Sequence, residues 1–236
     1  MHKEIEPAIH YWGTPVVVVS TLNEDQTPNL APMSSAWWLG WSCMLGLDAS
    51  SQTTVNLRRG GQCVLNLAAV ENVAAVDRLA RTTGSASVPL HKKALGYRHA
   101  ADKFGAAGLT AESSVEVAPP RVKEFPVQLE AVVEGMTPFA FRDPRMAVPA
   151  VAVEVRIVRA HVAPDLLAEP GGHRVDPERW RPLFMSFRQF YGRGDNAHPS
   201  RLAHGSEEAY APWRAKGVRA LAGKAVGLWS RYRYGP

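Results

Sequence analysis

The stretch from Asn29 to Thr54, NLAPMSSAWWLGWSCMLGLDASSQTT, leaves this chain few ways to fold. It holds two apolar runs, a tryptophan-rich bend, and then a cluster of small hydroxyl residues. Alternation puts Ala31, Met33 and Ser35 on one face of a first strand, and Cys43 to Leu47 form a second. Asp48-Ala49-Ser50-Ser51 supplies a turn and an N-cap. The spacing predicts a short helix over Gln52 to Arg59, stopped by Gly60. A strand feeding a capped helix N-terminus suits an anion, because the first N–H groups lack acceptors and the helix dipole favours negative charge. Ser50, Ser51, Thr53 and Thr54 add hydroxyl donors, so a phosphate fits. Ordinary capping of a short helix explains the same residues, and both readings stand at this point.

The flanking sequence reads as strands. Val16 to Ser20 is a β-branched run and predicts a buried strand. Asn23 to Pro28 is polar turn material, so the next strand returns as a hairpin partner, with Asn29 to Leu39 and Trp41 to Leu47 continuing the meander around Gly40. Gln62 to Leu67 is a further apolar strand. Pro126 to Met136 and Val148 to Val162 read as two long strands joined by an exposed turn at Arg142-Asp143-Pro144-Arg145. Strands in series with one short helix among them point to an antiparallel barrel rather than βαβ units. Helical spacing is expected over Val73 to Thr82, and again in the second half of PLHKKALGYRHAADKFGAAGLT, with Tyr97, Ala101 and Phe104 on one face and Gly105 and Gly108 ending it. Glu178 to Phe190 is ambiguous, and Ser206 to Leu228 reads as an amphipathic helix. The expected organisation is a barrel domain over residues 1–200 with a helical insert near 70–115, followed by a basic helical extension over 201–236 that packs on the barrel or on a dimer partner.

With 236 residues, 46% of them apolar, the chain can bury one sizeable core. No apolar run reaches the ~18 residues of a membrane span, and MHKEIEPAIHYWG lacks the basic and apolar regions of a signal peptide, so a cytoplasmic protein off the membrane is expected. Cys43 and Cys63 sit in apolar strand patterns and read as buried free thiols. Residues 1–200 balance 20 basic against 20 acidic side chains, so the net +5 comes from the last 36 residues, with 7 basic and 2 acidic. That density is too sparse for a nucleic-acid arm, and a solvated helix face is the favoured reading.

The segments TPVVVVSTLNEDQTPNLAPMSSAWWLG and LGLDASSQTTVNLRRGGQCVLNL together resemble the flavin reductase-like family of FMN-binding split barrels. The resemblance is strongest over Thr14 to Leu67 and runs more weakly through PPRVKEFPVQLEA and WRPLFMSFRQFYGRG. It implies a mostly-β barrel with flanking helices, a homodimer, and FMN as cofactor. It places Ser50, Ser51, Thr53 and Thr54 at the phosphate, with Asp48 and Ala49 lining the approach. Met33, Ser34, Ser35 and Ala36 would follow the ring edge, and Asn29 would sit on the ribityl side. Trp37 or Trp38 would wall the ring; they alternate along a strand, so at most one can, and Trp37 is taken here. Arg58 and Arg59 lie late on the helix. Lys92 in PLHKK matches the position where related flavoproteins place a basic residue, so the resemblance implies it as the cation for the phosphate, with a plain surface lysine as the other reading. Phe187, Arg188, Phe190 and Tyr191 match a stretch that approaches the flavin in relatives, or else pack on the barrel.

The implied activity is an FMN-dependent oxidoreductase. NAD(P)H is its transient donor, and a second flavin, a small organic molecule or a partner protein accepts the electrons. A non-catalytic flavin carrier and a specialised biosynthetic flavoenzyme remain as alternatives. His10, His91, His99, His161 and His173 are scattered and match no metal signature. There is no G-x-S-x-G elbow for acyl chemistry and no G-x-G-x-x-G for a Rossmann nicotinamide domain. No side chain is singled out as a catalytic acid or base, because a redox cofactor carries the chemistry in such proteins.

Overall fold

The computed structural model describes residues 1–146, 148–198, 200, 229, 232 and 233. The chain forms two compact units, Met1–Arg193 and Gly194–Pro236. In the second, the Arg233 guanidinium lies 5.6 Å from the Trp229 ring centroid. The amphipathic helix expected over Ser206 to Leu228 lies outside the described residues.

The first unit opens with β1 (Trp12–Pro15), β2 (Val17–Leu22), β3 (Pro28–Met33), β4 (Ala36–Leu39) and β5 (Ser42–Asp48). Helix α1 (Gln52–Gly60) and β6 (Gln62–Leu67) follow. Next come α2 (Val73–Leu79), β7 (Thr82–Thr83), α3 (Leu90–Ala94), β8 (Arg98–His99) and α4 (Lys103–Ala107). Short β9 (Ala111–Glu112) and β10 (Arg121–Val122) lead into long β11 (Val127–Phe139) and β12 (Ala150–Val162), and β13 (Phe184–Ser186) and β14 (Gln189–Tyr191) close the unit.

Seven strands form one antiparallel sheet in the order β3-β2-β6-β11-β12-β5-β4. Its two edge strands, β3 and β4, are consecutive in the chain and separated only by Ser34 and Ser35. The sheet must therefore curl until its edges meet at that dipeptide, although no ladder joins them. This is a split barrel, and the fold expected from the sequence is the one observed. The meander differs in one respect. Asn29 to Leu39 is two strands on opposite edges, because the chain crosses the seam at Ser34-Ser35.

The barrel has a core on each face of β2. Val17 and Val19 join Ala36, Cys43, Leu45, Leu57, Cys63, Leu65, Ala131, Val151, Val153 and Val155 inside the curled sheet. Val16 and Val18 point the other way, against Leu79 of α2, Phe104 of α4, Val122 and Phe125. A strand buried on both faces has no reason to alternate, which is why VVVV is a continuous run. The two cysteines are free and buried in the inner core, where burial pushes both thiols up to about 12.

Beyond β6 the helical insert differs in detail. α2 ends at Leu79, and the helix expected around Tyr97 is instead two five-residue helices, α3 and α4, separated by a strand. Gly105 lies inside α4; Gly108, at φ +64°, ends it. The ambiguous Glu178–Phe190 region contains β13 and leads into β14, with Phe187 (φ +45°) and Arg188 (φ +69°) as the two turn residues between them. Two-residue hairpins of this kind favour Asn-Gly, so a Phe-Arg pair is strained. An edge-on contact of Phe187 with Trp12, 4.5 Å between centroids, and a Phe187 N–H bond to Tyr11 O help to hold it.

On the outer face of β11, Glu130 is fully buried beneath the segment after β9. Its carboxylate accepts the backbone N–H groups of Val115, Glu116 and Val117, and His161 Nε2 donates to Oε1 at 2.6 Å. Burial raises its pKa, but these bonds outweigh that and hold it below the ordinary value of 4.5. No described helix is long and apolar enough to cross a membrane.

Candidate functional site

The sequence places a strand end, a turn and a helix start in succession at Asp48 to Thr54, and their side chains build one hydrogen-bonded cluster. Ser51 is the N-cap of α1, at φ −71° and ψ 146°, and its hydroxyl accepts the Thr54 N–H at 3.1 Å. Thr54 Oγ1 lies 2.9 Å from the Ser51 hydroxyl and donates to Asp48 O at 2.8 Å. Asp48 Oδ1 accepts both the N–H (2.8 Å) and the hydroxyl (2.7 Å) of Ser50. Ala49 donates its N–H to Pro149 O at 2.9 Å. The helix ends one residue later than expected, with Gly61 in the left-handed region at φ +64° donating to Leu57 O.

Much of the expected hydroxyl set is thus spent on the turn itself. What remains unpaired is backbone. Among the described residues, the N–H groups of Gln52 and Thr53 have no acceptor, as the first turn of a helix requires. The capping reading of the Ser/Thr cluster is the one observed, and the hydroxyls fix the position of the first N–H groups of α1.

A polar network anchors α1 to the β2–β3 hairpin. Asn56 Nδ2 donates to Thr21 Oγ1 and Asn23 Oδ1, both at 3.0 Å, and Gln52 Nε2 donates to Asn56 Oδ1 at 2.9 Å. Asn29, buried on β3, donates to Thr53 Oγ1 at 3.2 Å. The Asn29 Oδ1 atom is buried without a partner. Gly84 approaches it so closely that a Cβ there would stand 2.3 Å from Oδ1.

Helix α3 brings charge to the turn. Lys92 Nζ lies 3.2 Å from Asp48 Oδ2, and His91 Nε2 donates to the same oxygen at 3.0 Å. Burial would raise the Asp48 pKa, but the Ser50 bonds, His91 and Lys92 outweigh it and bring it down to about 2. Lys92 is largely buried, so it is no free surface lysine. Arg58 and Arg59 lie at the far end of α1, where Arg59 donates to Leu22 O.

The second group of expected residues sits at the seam of the barrel. Ala36 faces the inner core, and the partly buried Met33 packs against the same core. Ser34 is buried, and Ser35 O accepts the Gly46 N–H at 2.8 Å. Gly46 is two residues before Asp48 on β5, so one strand connects the seam to the helix start. Trp37 is exposed and Trp38 packs against the inner core, as alternation requires; Trp41 is also partly exposed. Phe190 packs on the outer core, while Phe187 and Tyr191 remain exposed.

The donor set fits a phosphorylated flavin. Two free helix N–H groups and a lysine suit a phosphate, and the orphaned Asn29 oxygen suits a hydroxyl donor such as a ribityl chain carries. Sequence reasoning missed Gly84 and Lys103, the latter a buried lysine on α4, and named His91 only as one of several scattered histidines. None of them belongs to a spacing motif. Among the described residues, no cluster of His, Cys, Asp and Glu could hold a metal ion.

Known proteins resemble this chain in sequence and in fold. An uncharacterized protein, YdfE, of Bacillus subtilis (strain 168) is 36% identical over 192 residues, covering 81% of this chain and 89% of that protein. Flavoredoxin of Desulfovibrio vulgaris (Miyazaki F) shares the fold with a TM-score of 0.68 at 19% identity, over 87% of this chain and all of that one. Nitrilotriacetate monooxygenase component B from Bacillus cereus does so with a TM-score of 0.63 at 20% identity, over 79% of this chain and 87% of that one. The family described as flavin reductase like domain matches residues 9–192, and the chain belongs to that family.

Proposed function

We propose that this protein binds FMN and works as an NAD(P)H-dependent flavin oxidoreductase, passing electrons to a second flavin, a small organic acceptor or a partner protein. The observation that carries the reading is the pair of unpaired N–H groups on Gln52 and Thr53, with Lys92 beside them at Asp48. In this reading those donors and the Ser50 hydroxyl hold the phosphate, and Asn29 accepts from the ribityl chain. Ser51, Thr53 and Thr54 keep the helix start in place, and Asp48 and Ala49 fix the turn. Backbone at Met33 to Ala36 borders the ring, and Trp37 offers it a flat wall. FMN, when bound, supplies the two-electron redox chemistry. The family membership and the names of flavoredoxin and of a monooxygenase component support redox work on this fold. The exposed apolar side chains Trp12, Trp37, Leu39 and Tyr191 support a homodimer, since large apolar groups gain from a second subunit's cover.

The test is an absorption spectrum of the purified protein after FMN is added and the excess removed, followed by anaerobic NADH or NADPH. A retained flavin band that bleaches within seconds is expected. A retained band that does not bleach contradicts the reductase and favours a carrier. Absence of any retained band or of steady-state flavin turnover overturns FMN binding.

A further inference from the structure

Lys103 is the first residue of α4, and its side chain is only 2% exposed. A buried ammonium needs acceptors or a counter-charge. Lys103 Nζ has a single acceptor, the carbonyl of Leu30 at 3.0 Å, and among the described residues no carboxylate pairs with it. Two of its three N–H donors are therefore unused. Burial first, and then the positive charge of Lys92, hold its pKa down at about 8. Lys103 thus sits within reach of another cation, Lys92, and among the described residues no carboxylate is bonded to it.

The location gives this shortage of negative charge a direction. Leu30 adjoins Asn29, whose amide donates to Thr53 in the first turn of α1. Lys92, whose charge reaches Lys103, sits on Asp48 at the start of the same helix. Asp48 already offsets Lys92, so Lys92 alone leaves little net charge for a ligand. Among the described residues, no carboxylate does the same for Lys103.

We propose that Lys103 is the principal counter-charge for a phosphomonoester dianion seated at the start of α1, so that the site selects the phosphorylated flavin over riboflavin. This rests on the flavin reading above. Charge, rather than ring contacts, then sets the preference for FMN, and Lys92 is the lesser of the two cations because it is shared with Asp48.

The experiment is a titration of wild type, Lys103→Met and Lys92→Met with FMN and with riboflavin, followed by flavin fluorescence. Wild type is expected to bind FMN more tightly than riboflavin. Lys103→Met is expected to lose about 10- to 100-fold in FMN affinity, the scale of a charge-assisted hydrogen bond, with riboflavin affinity within about 3-fold and a smaller FMN loss in Lys92→Met. Lys103→Gln, which keeps a donor for Leu30 O, repeats the comparison if the Met variant does not fold. Equal wild-type affinity for the two flavins, or an FMN preference that survives both Lys103 variants, overturns the inference and leaves the flavin reading intact. A wild type that binds neither flavin overturns both.

Discussion

Gln52→Pro is expected to weaken FMN binding about 10- to 100-fold while changing folding stability by no more than about 1 kcal/mol. Gln52 is the first residue of α1, and among the described residues its N–H has no acceptor. Proline is tolerated at that position, because the N–H it lacks makes no intrahelical bond and its fixed φ suits the helix. It also requires the preceding residue to be extended, and Ser51 already is, at φ −71° and ψ 146°. The substitution therefore deletes a phosphate donor with little other consequence. Gln52→Ala is the control: it removes the same side-chain bond to Asn56 and keeps the N–H. Isothermal titration with FMN should separate the two variants. If proline and alanine bind FMN equally, the N–H does not contact the ligand.

Glu130→Ala is expected to cost about 3–5 kcal/mol, the range for removing one partner from a buried charged network. The carboxylate is fully buried and gathers three consecutive backbone N–H groups and His161. Its loss orphans all of them at once, and urea denaturation should show the midpoint fall. Glu130→Gln keeps an acceptor and costs less. The carboxylate's folded pKa lies below its ordinary 4.5, so its contribution is complete above pH 4.5 and is lost as the pH falls through the folded value. The stability gap between wild type and Glu130→Gln should accordingly be widest above pH 4.5 and narrow below it. A gap independent of pH would mean that folding does not shift the carboxylate's pKa.

These two residues illustrate what the sequence could and could not convey. The helix at Gln52 was readable within one residue, because its cap is local chemistry: Ser51 and Thr54 meet three residues apart on the same turn. The strands were readable for the same reason, including VVVV, whose lack of alternation reflects a core on both faces. Glu130 looked like an ordinary polar position in an alternating strand, since the segment that buries it comes from residues 115–117. Lys103 was hidden likewise, because its burial depends on contact with β3 and not on neighbours in sequence. The division at Ser34-Ser35 follows from curling of the whole sheet, which no window of adjacent residues encodes. Among the candidate binding residues, the turn from Asp48 to Thr54, Asn29 and Lys92 form one bonded cluster. Ala36 and Met33 turned inward because the inner core needs apolar cover where the barrel's edges meet.

The most direct test is amide NMR of the isotopically labelled protein titrated with FMN. A phosphate held at the start of α1 predicts that the Gln52 and Thr53 amide resonances shift most, downfield as hydrogen bonds form to an anion, and that riboflavin moves them far less. If both resonances stay in place at saturating FMN, the ligand's phosphate lies elsewhere and the helix start is only a cap.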